Sequence, residues 1–168
     1  MFKIFKKTKT GLSDSAYPVF TLRSPLSGEA VPIEQVPDAT FADKILGAGI
    51  AVIPDGGILL APADGKVDSV PDTCHAVMMT ADCGAELLMH IGIDTVELKG
   101  QHYRALVSPG ESVRTGQPLI EFDREAILAA GYSVITPVVI TNSDAFHIRQ
   151  AYIGVMREGA PLLDLTKA

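Results

Sequence analysis

The sequence predicts an all-β protein, an antiparallel β-sandwich or barrel with a few short helices. Three observations carry that expectation. Apolar residues come in short runs of about four to seven residues rather than in long 3.6-residue periodicities. The runs are bounded by turn formers, drawn from eleven prolines and fifteen glycines in 168 residues. A corner of the form Pro-x-x-Gly recurs, which suits strands that turn sharply and re-enter the same sandwich.

The first eighteen residues differ from the rest and read as a basic, flexible tail (1–9) and a linker (10–18), leaving residues 19–168 as one domain. Lys3, Lys6, Lys7 and Lys9 lie in the tail with no acid among them, so the rest of the chain sums to −10 against −6 for the whole. On a helical wheel Met1, Phe2, Ile4 and Phe5 fall on one arc, with Lys3, Lys6 and Lys7 opposite. Such a stretch can lie on an anionic membrane surface, although helices below about 12 residues are marginal in water.

In the domain, strands are expected at 19–22, 49–53, 58–61, 66–70, 103–107, 118–122, 138–141, 152–156 and 162–165. Helix is expected only where Asp38 caps residues 39–46 before Gly47, and where Asp123 caps 124–130 before Gly131. Pro25-Leu26-Ser27-Gly28 and Pro62-Ala63-Asp64-Gly65 form the recurring corner, and Ser108-Pro109-Gly110 is a looser third copy.

Whole-chain properties exclude some classes. An acidic net charge is a poor match to nucleic acid. No apolar run approaches the roughly 18–20 residues of a membrane span, and the N-terminus lacks the apolar core of a signal peptide. Two cysteines without a secretory signal suggest free thiols in a reducing compartment, hence a cytoplasmic location.

The chemistry concentrates between Thr73 and Asp94. His75 opens the apolar run Ala76-Val77-Met78-Met79, His90 lies within Leu87–Ile93, and Ala81-Asp82-Cys83-Gly84 reads as the turn of a hairpin between them. Pairing the two runs brings the imidazoles together, since adjacent strands lie about 5 Å apart. Burial favours the neutral ring, which keeps one nitrogen available as a nucleophile.

Three uses compete. One ring attacks phosphorus while the other stabilises the phosphoryl oxygens. Alternatively, His75 and His90 bind zinc with Asp94 or Cys74 as third ligand, although fifteen residues of separation matches no compact metal motif. In the third use both rings are structural. Thr73 can fix the tautomer of His75. Asp94 reads first as the cap of Thr95–Leu98, and Gly92 leaves room for a phosphoryl group or a close backbone. Leu88, Met89 and Ile91 can ring the site with apolar surface. Cys74 is idle or a nucleophile with His75 as base, and His102 and His147 have the polar settings of surface residues.

The residues resemble a known family. The match runs through Ser24-Pro25-Leu26-Ser27-Gly28, Val36-Pro37-Asp38, Phe41-Ala42, Ala61-Pro62-Ala63-Asp64-Gly65, Thr73 with His75, and most specifically His90-x-Gly92-Ile93-Asp94-Thr95-Val96-Glu97-Leu98-Lys99-Gly100. It continues through Gly116, Ile120-Glu121-Phe122-Asp123 and Thr136-Pro137-Val138-Val139-Ile140-Thr141-Asn142. These resemble the glucose-type enzyme IIA of the bacterial sugar phosphotransferase system, over about residues 20–165.

The resemblance implies an antiparallel sandwich in which His90 is phosphorylated at Nε2, His75 stabilises the phosphoryl group and Thr73 bonds to His75. It implies a histidine-containing phosphocarrier protein as donor and a cysteine of an enzyme IIB domain as acceptor. It implies regulatory binding to glycerol kinase and non-PTS permeases in the unphosphorylated state, with no required cofactor. In some members zinc sits between the counterparts of His75 and His90 and a partner carboxylate. The tail resembles the membrane-touching segment of free-standing members. Partner contacts are expected at Asp38, Leu88, Ile91, Asp94 and Glu97, an acidic and apolar rim suited to a basic carrier surface. Some members have Phe where this chain has Pro71, Leu88 and Ile91, and Asn where it has Cys74.

Two other functions remain as alternatives: a biotinyl or lipoyl carrier, suggested by the 107–119 corner but lacking a modifiable lysine, and a zinc hydrolase on a related β fold.

Overall fold

The computed structural model describes residues 17–168; the amphipathic tail lies outside the described residues. Among the described residues fourteen strands form: β1 Phe20–Arg23, β2 Gly28–Pro32, β3 Ala48–Pro54, β4 Ile58–Leu60, β5 Gly65–Ser69, β6 Ala76–Ala81, β7 Glu86–His90, β8 Tyr103–Ala105, β9 Ser112–Val113, β10 Pro118–Phe122, β11 Thr136–Ile140, β12 Phe146–Ala151, β13 Gly154–Met156 and β14 Pro161–Lys167. They make an eight-stranded sheet in the order β13-β2-β3-β11-β7-β6-β5-β9 and two three-stranded sheets, β1-β14-β12 and β4-β10-β8. The pairings are antiparallel. The expected all-β architecture is the observed one.

Alternation along the strands sends apolar side chains to both faces of the large sheet. Val52, Val77, Met79, Leu87, Met89, Val138 and Ile140 point into a core shared with Leu22, Leu163 and Leu165 of one small sheet and Leu59 and Ile120 of the other. Their neighbours Ala51, Val139 and Leu88 face the opposite way, under Ile33, Val36 and Phe41. That second, smaller cluster is roofed by a 3-10 turn at Ile33–Gln35 and by helix α1, Ala39–Ala42.

Both expected helices form with the expected caps. Asp38 accepts from the Thr40 N–H at 2.9 Å and Asp123 from the Ala126 N–H at 3.0 Å. Each is shorter than expected: α1 ends at Ala42 and α2 spans Arg124–Ala129. Strands β2, β9 and β12 were not expected. Gly28–Pro32 begins and ends in residues that disfavour strands, while His147, Arg149 and Gln150 dilute β12.

The recurring Pro-x-x-Gly corner has a physical cause. Gly28 opens β2 and Gly65 opens β5. A Cβ at these positions would lie 2.0 Å from the Ile53 carbonyl oxygen and 2.2 Å from that of Thr80. Each corner delivers the chain directly onto a neighbouring backbone, which only glycine permits. No described helix is long and apolar enough to cross a membrane.

Candidate active site

Strands β6 and β7 pair as the sequence suggests, with Ala76 opposite His90 and Met78 opposite Leu88. His90 therefore shares a face with Leu88 and Met78, on the side of the small apolar cluster, and its ring meets Phe41 with 5.3 Å between centroids. His75 lies one residue before β6. Its carbonyl accepts from the Ile91 N–H at 2.7 Å. Strict alternation would turn its side chain toward the face of Ile91. The regular strand stops at Ala76, however, and Cys74 holds φ 55° in a turn closed by its N–H to the Pro71 carbonyl at 2.8 Å. With that turn, the His75 ring sits edge-on to His90, centroids 4.8 Å apart. A left-handed cysteine is uncommon, and here it lies next to a site residue.

Each ring is fixed through Nδ1. His90 Nδ1 is 2.7 Å from the Gly92 carbonyl oxygen. A carbonyl only accepts, so Nδ1 carries the proton and Nε2 of the neutral ring keeps its lone pair. His75 Nδ1 is 2.6 Å from Thr73 Oγ1, so a hydroxyl holds it.

Burial sets the charge. It pushes the His75 pKa down to about 4, with His90 adding a smaller electrostatic effect in the same direction. Burial also pushes His90 below its usual value, while the Gly92 hydrogen bond and the charges of Asp38 and Asp94 pull the other way. Both rings are thus predominantly neutral near pH 7. His75 is 7 % exposed, whereas His90 is only half-buried.

The loop after His90 is built around Gly92 at φ +87°. A Cβ there would stand 2.5 Å from Thr95 Cγ2 and 2.7 Å from the Ser133 carbonyl oxygen. Gly92 is therefore demanded by packing as well as by backbone conformation.

Leu88 is half-buried on the His90 face, Glu97 is exposed, and Asp38 and Asp94 lie close enough to influence His90. Two expectations are corrected. Met89 and Ile91 are fully buried in the main core, because both alternate with His90 and face inward, so neither side chain can ring the site or contact a partner. Asp94 stands at the N-cap of the Thr95–Leu98 turn with φ 58° but makes no side-chain capping bond, so the left-handed backbone leaves its carboxylate on the surface.

Other features were not legible in the sequence: Phe41 against His90, and the exposed apolar side chains of Met78 on β6 and Val96 in the Thr95–Leu98 turn, with Ile45 and Leu46 exposed in the turn after α1. The spacing of Met78 from Ala76 and of Leu88 from His90 was the available signal for the strand residues. Nothing local announced Phe41, which arrives from a distant helix. His102 and His147 are exposed, as expected, and both cysteines are free.

Zinc fits the chain's own residues poorly. Among the described residues, no group of three or more His, Cys, Asp or Glu side chains is arranged to hold a metal. Neither Cys74 nor Asp94 is therefore grouped with the two imidazoles as a third ligand.

A solved structure, the glucose permease IIA of Mycoplasma capricolum, superposes on this fold with a TM-score of 0.84 at 26 % identity, covering 88 % of this chain and 96 % of that one. The fold thus falls in the class of IIA β-sandwich domains. A family profile of the phosphoenolpyruvate-dependent sugar phosphotransferase system, EIIA 1, matches residues 20–146, and the chain belongs to that family. A glucose-specific EIIA component of Staphylococcus aureus is 42 % identical over 98 % of this chain and 94 % of its own length. One from Staphylococcus epidermidis is 43 % identical over 85 % of this chain and 87 % of its own. A β-glucoside-specific EIIBCA component of Dickeya chrysanthemi is 47 % identical over 86 % of this chain. The chain spans only 23 % of that longer protein's length. Family membership sets aside the biotinyl and lipoyl alternative.

Proposed function

We propose that His90 Nε2 is the phosphoryl acceptor of this phosphotransferase-system component. The lone pair on Nε2 attacks the phosphorus of a phosphohistidine on the histidine-containing phosphocarrier protein. The donor's P–N bond breaks as the new one forms, and the donor imidazole leaves with the electron pair. A cysteine thiolate of an enzyme IIB domain then attacks the same phosphorus and His90 is regenerated. Phosphoryl transfer of this kind depends on alignment and charge stabilisation more than on covalent machinery.

The observation that carries the reading is the 2.7 Å bond from His90 Nδ1 to the Gly92 carbonyl, which assigns the free lone pair to Nε2. His75 is the second participant. With Thr73 donating to its Nδ1, the Nε2–H is free to bond a phosphoryl oxygen on His90. A neutral donor suits this role, and the lowered pKa of His75 keeps it neutral.

Docking uses the half-buried Leu88, the exposed apolar side chains near it, and Asp38, Asp94 and Glu97 as an acidic rim for a basic carrier. No cofactor is required for transfer. Zinc would join the two imidazoles only with a further ligand from a partner such as glycerol kinase or a non-PTS permease, bound by the unphosphorylated form. The reaction belongs to the cytoplasm, with the basic tail touching the membrane surface. The relatives are named for glucose and for β-glucosides, consistent with a IIA unit that never contacts the sugar.

The test is incubation with phosphoenolpyruvate and the upstream phosphotransferases. Acid-labile labelling is expected in the wild type and absent in His90→Ala; a labelled His90→Ala chain would overturn the assignment.

A further inference from the structure

The Ile91–Gly92 peptide unit behind His90 is held at both ends. Its N–H, on Gly92, donates to the Ile135 carbonyl at 3.1 Å. Its carbonyl oxygen, on Ile91, accepts two hydroxyls: Thr95 Oγ1 at 2.7 Å and Tyr103 Oη at 2.9 Å. The next peptide unit carries the Gly92 carbonyl that receives the His90 Nδ1–H, and its N–H, on Ile93, donates to Ser133 at 3.2 Å. The orientation of the acceptor for His90 is therefore set by the two peptide planes that meet at Gly92. Gly92 is the residue with most backbone freedom in the segment, so the planes on either side must be fixed from outside.

Thr95 comes from the same loop and moves with it. Tyr103 comes from β8, in a different sheet, and its ring is anchored in the main core and stacks on Phe122 at 6.5 Å. Of the two hydroxyl donors, only Tyr103 ties the loop to the opposite layer of the sandwich.

We propose that Tyr103 is a positioning residue for phosphoryl transfer, holding the Ile91–Gly92 peptide so that the Gly92 carbonyl stays aimed at His90 Nδ1. This rests on the reading of His90 as the phosphoryl acceptor. Burial keeps the phenol protonated, hence a donor, well above neutral pH. With the tether in place, the His90 Nδ1–H is retained and Nε2 keeps its lone pair and its direction. Without it, Thr95 alone holds the Ile91 oxygen, and the Gly92 carbonyl is kept on the ring only by the bonds of the Gly92 and Ile93 N–H groups to Ile135 and Ser133, so its aim loosens.

The test is Tyr103→Phe, which removes one oxygen and keeps the ring. Two quantities are read on full-length protein: solvent exchange of the His90 Nδ1–H by proton–nitrogen NMR, and the rate of transfer from the phosphorylated carrier protein. The expectation is about fivefold faster exchange and about fivefold slower transfer, the size of one net hydrogen bond. A purely structural role would lower thermal stability and leave Nδ1–H exchange in the folded state unchanged. Placing 3-fluorotyrosine at 103, which strengthens the donor without losing it, should slow the exchange and provides a second reading should Tyr103→Phe fold poorly. Exchange that responds to neither change overturns the proposal. The exchange measurement needs no phosphoryl donor. A wild-type protein that is never phosphorylated on His90 would therefore sink the functional reading while the tether was still tested on its own.

Discussion

A neutral imidazole that donates from Nδ1 has only Nε2 left with which to act, and in the proposed function the two histidines of this site divide their work accordingly. His90 is partly open and carries the free lone pair; His75 is buried, held by Thr73 and kept neutral. His75→Gln should therefore leave phosphorylation of His90 largely intact, because the nucleophile is untouched, while transfer onward to enzyme IIB falls steeply. Single-turnover phosphorylation and transfer measured separately will show whether the defect lies in the second step.

The buried ring also has a thermodynamic consequence. A histidine whose pKa is lowered on folding binds fewer protons in the native than in the unfolded state, so stability rises with pH across the interval. For His75 the interval runs from its usual value of 6.5 down to about 4. Stability contributed by the neutral ring is present above that interval and is lost as pH falls through it. At about 1.4 kcal/mol per pKa unit, the loss is about 3 kcal/mol by pH 4. Urea unfolding midpoints should fall less steeply between pH 6.5 and 4 in His75→Gln than in the wild type.

At the scale of single elements, the caps and corners matter most. Helix α1 has little length to stabilise it and depends on Asp38, which also belongs to the acidic rim. Asp38→Ala should cost about 1 kcal/mol and loosen Phe41, which α1 carries over His90; chemical denaturation and the chemical shifts of the His90 ring will report both. At the corners, Gly28→Ala or Gly65→Ala would drive a methyl into a strand backbone 2.0 or 2.2 Å away. Neither backbone can yield without breaking its ladder, so both variants should be destabilised by about 3 kcal/mol or more, read as the loss of soluble, cooperatively unfolding protein.

Elements were legible in the sequence to the extent that their signals were local. The Asp38 and Asp123 caps, the hairpin between His75 and His90, and the apolar strands each rest on residues close together in the chain. Strand β12 was not legible, because His147, Arg149 and Gln150 hide an edge of the small sheet. Nor was β2, framed by Gly28 and Pro32. Within the site, Thr73 beside His75 could be seen as a hydroxyl two residues from a ring. Phe41 and Tyr103 could not, since their relation to His90 exists only once separate layers pack. Ile91 misled for a related reason: adjacency to His90 suggested a shared surface, and strand alternation sent it to the core.

On the scale of the whole molecule, the large sheet is coated on both faces, and the two coats have different tasks. The main core binds three sheets into one body. The smaller cluster under α1 makes the floor on which His90 and its apolar neighbours rest. A surface of this kind suits the protein docking proposed above, in keeping with the membership of this chain in a family of phosphotransferase-system components. The Dickeya relative, in which the matched segment is 23 % of a longer chain, shows that a domain of this kind also occurs tethered to others.

The proposed reaction depends on which nitrogen takes the phosphoryl group. Long-range proton–nitrogen NMR of the uniformly nitrogen-15-labelled protein, recorded before and after phosphorylation by the upstream enzymes, reads this directly. An Nδ1–H tautomer is expected at His90 before reaction, and phosphorus coupled to His90 Nε2 afterwards. Phosphorus on Nδ1 of His90, or on His75, would contradict it.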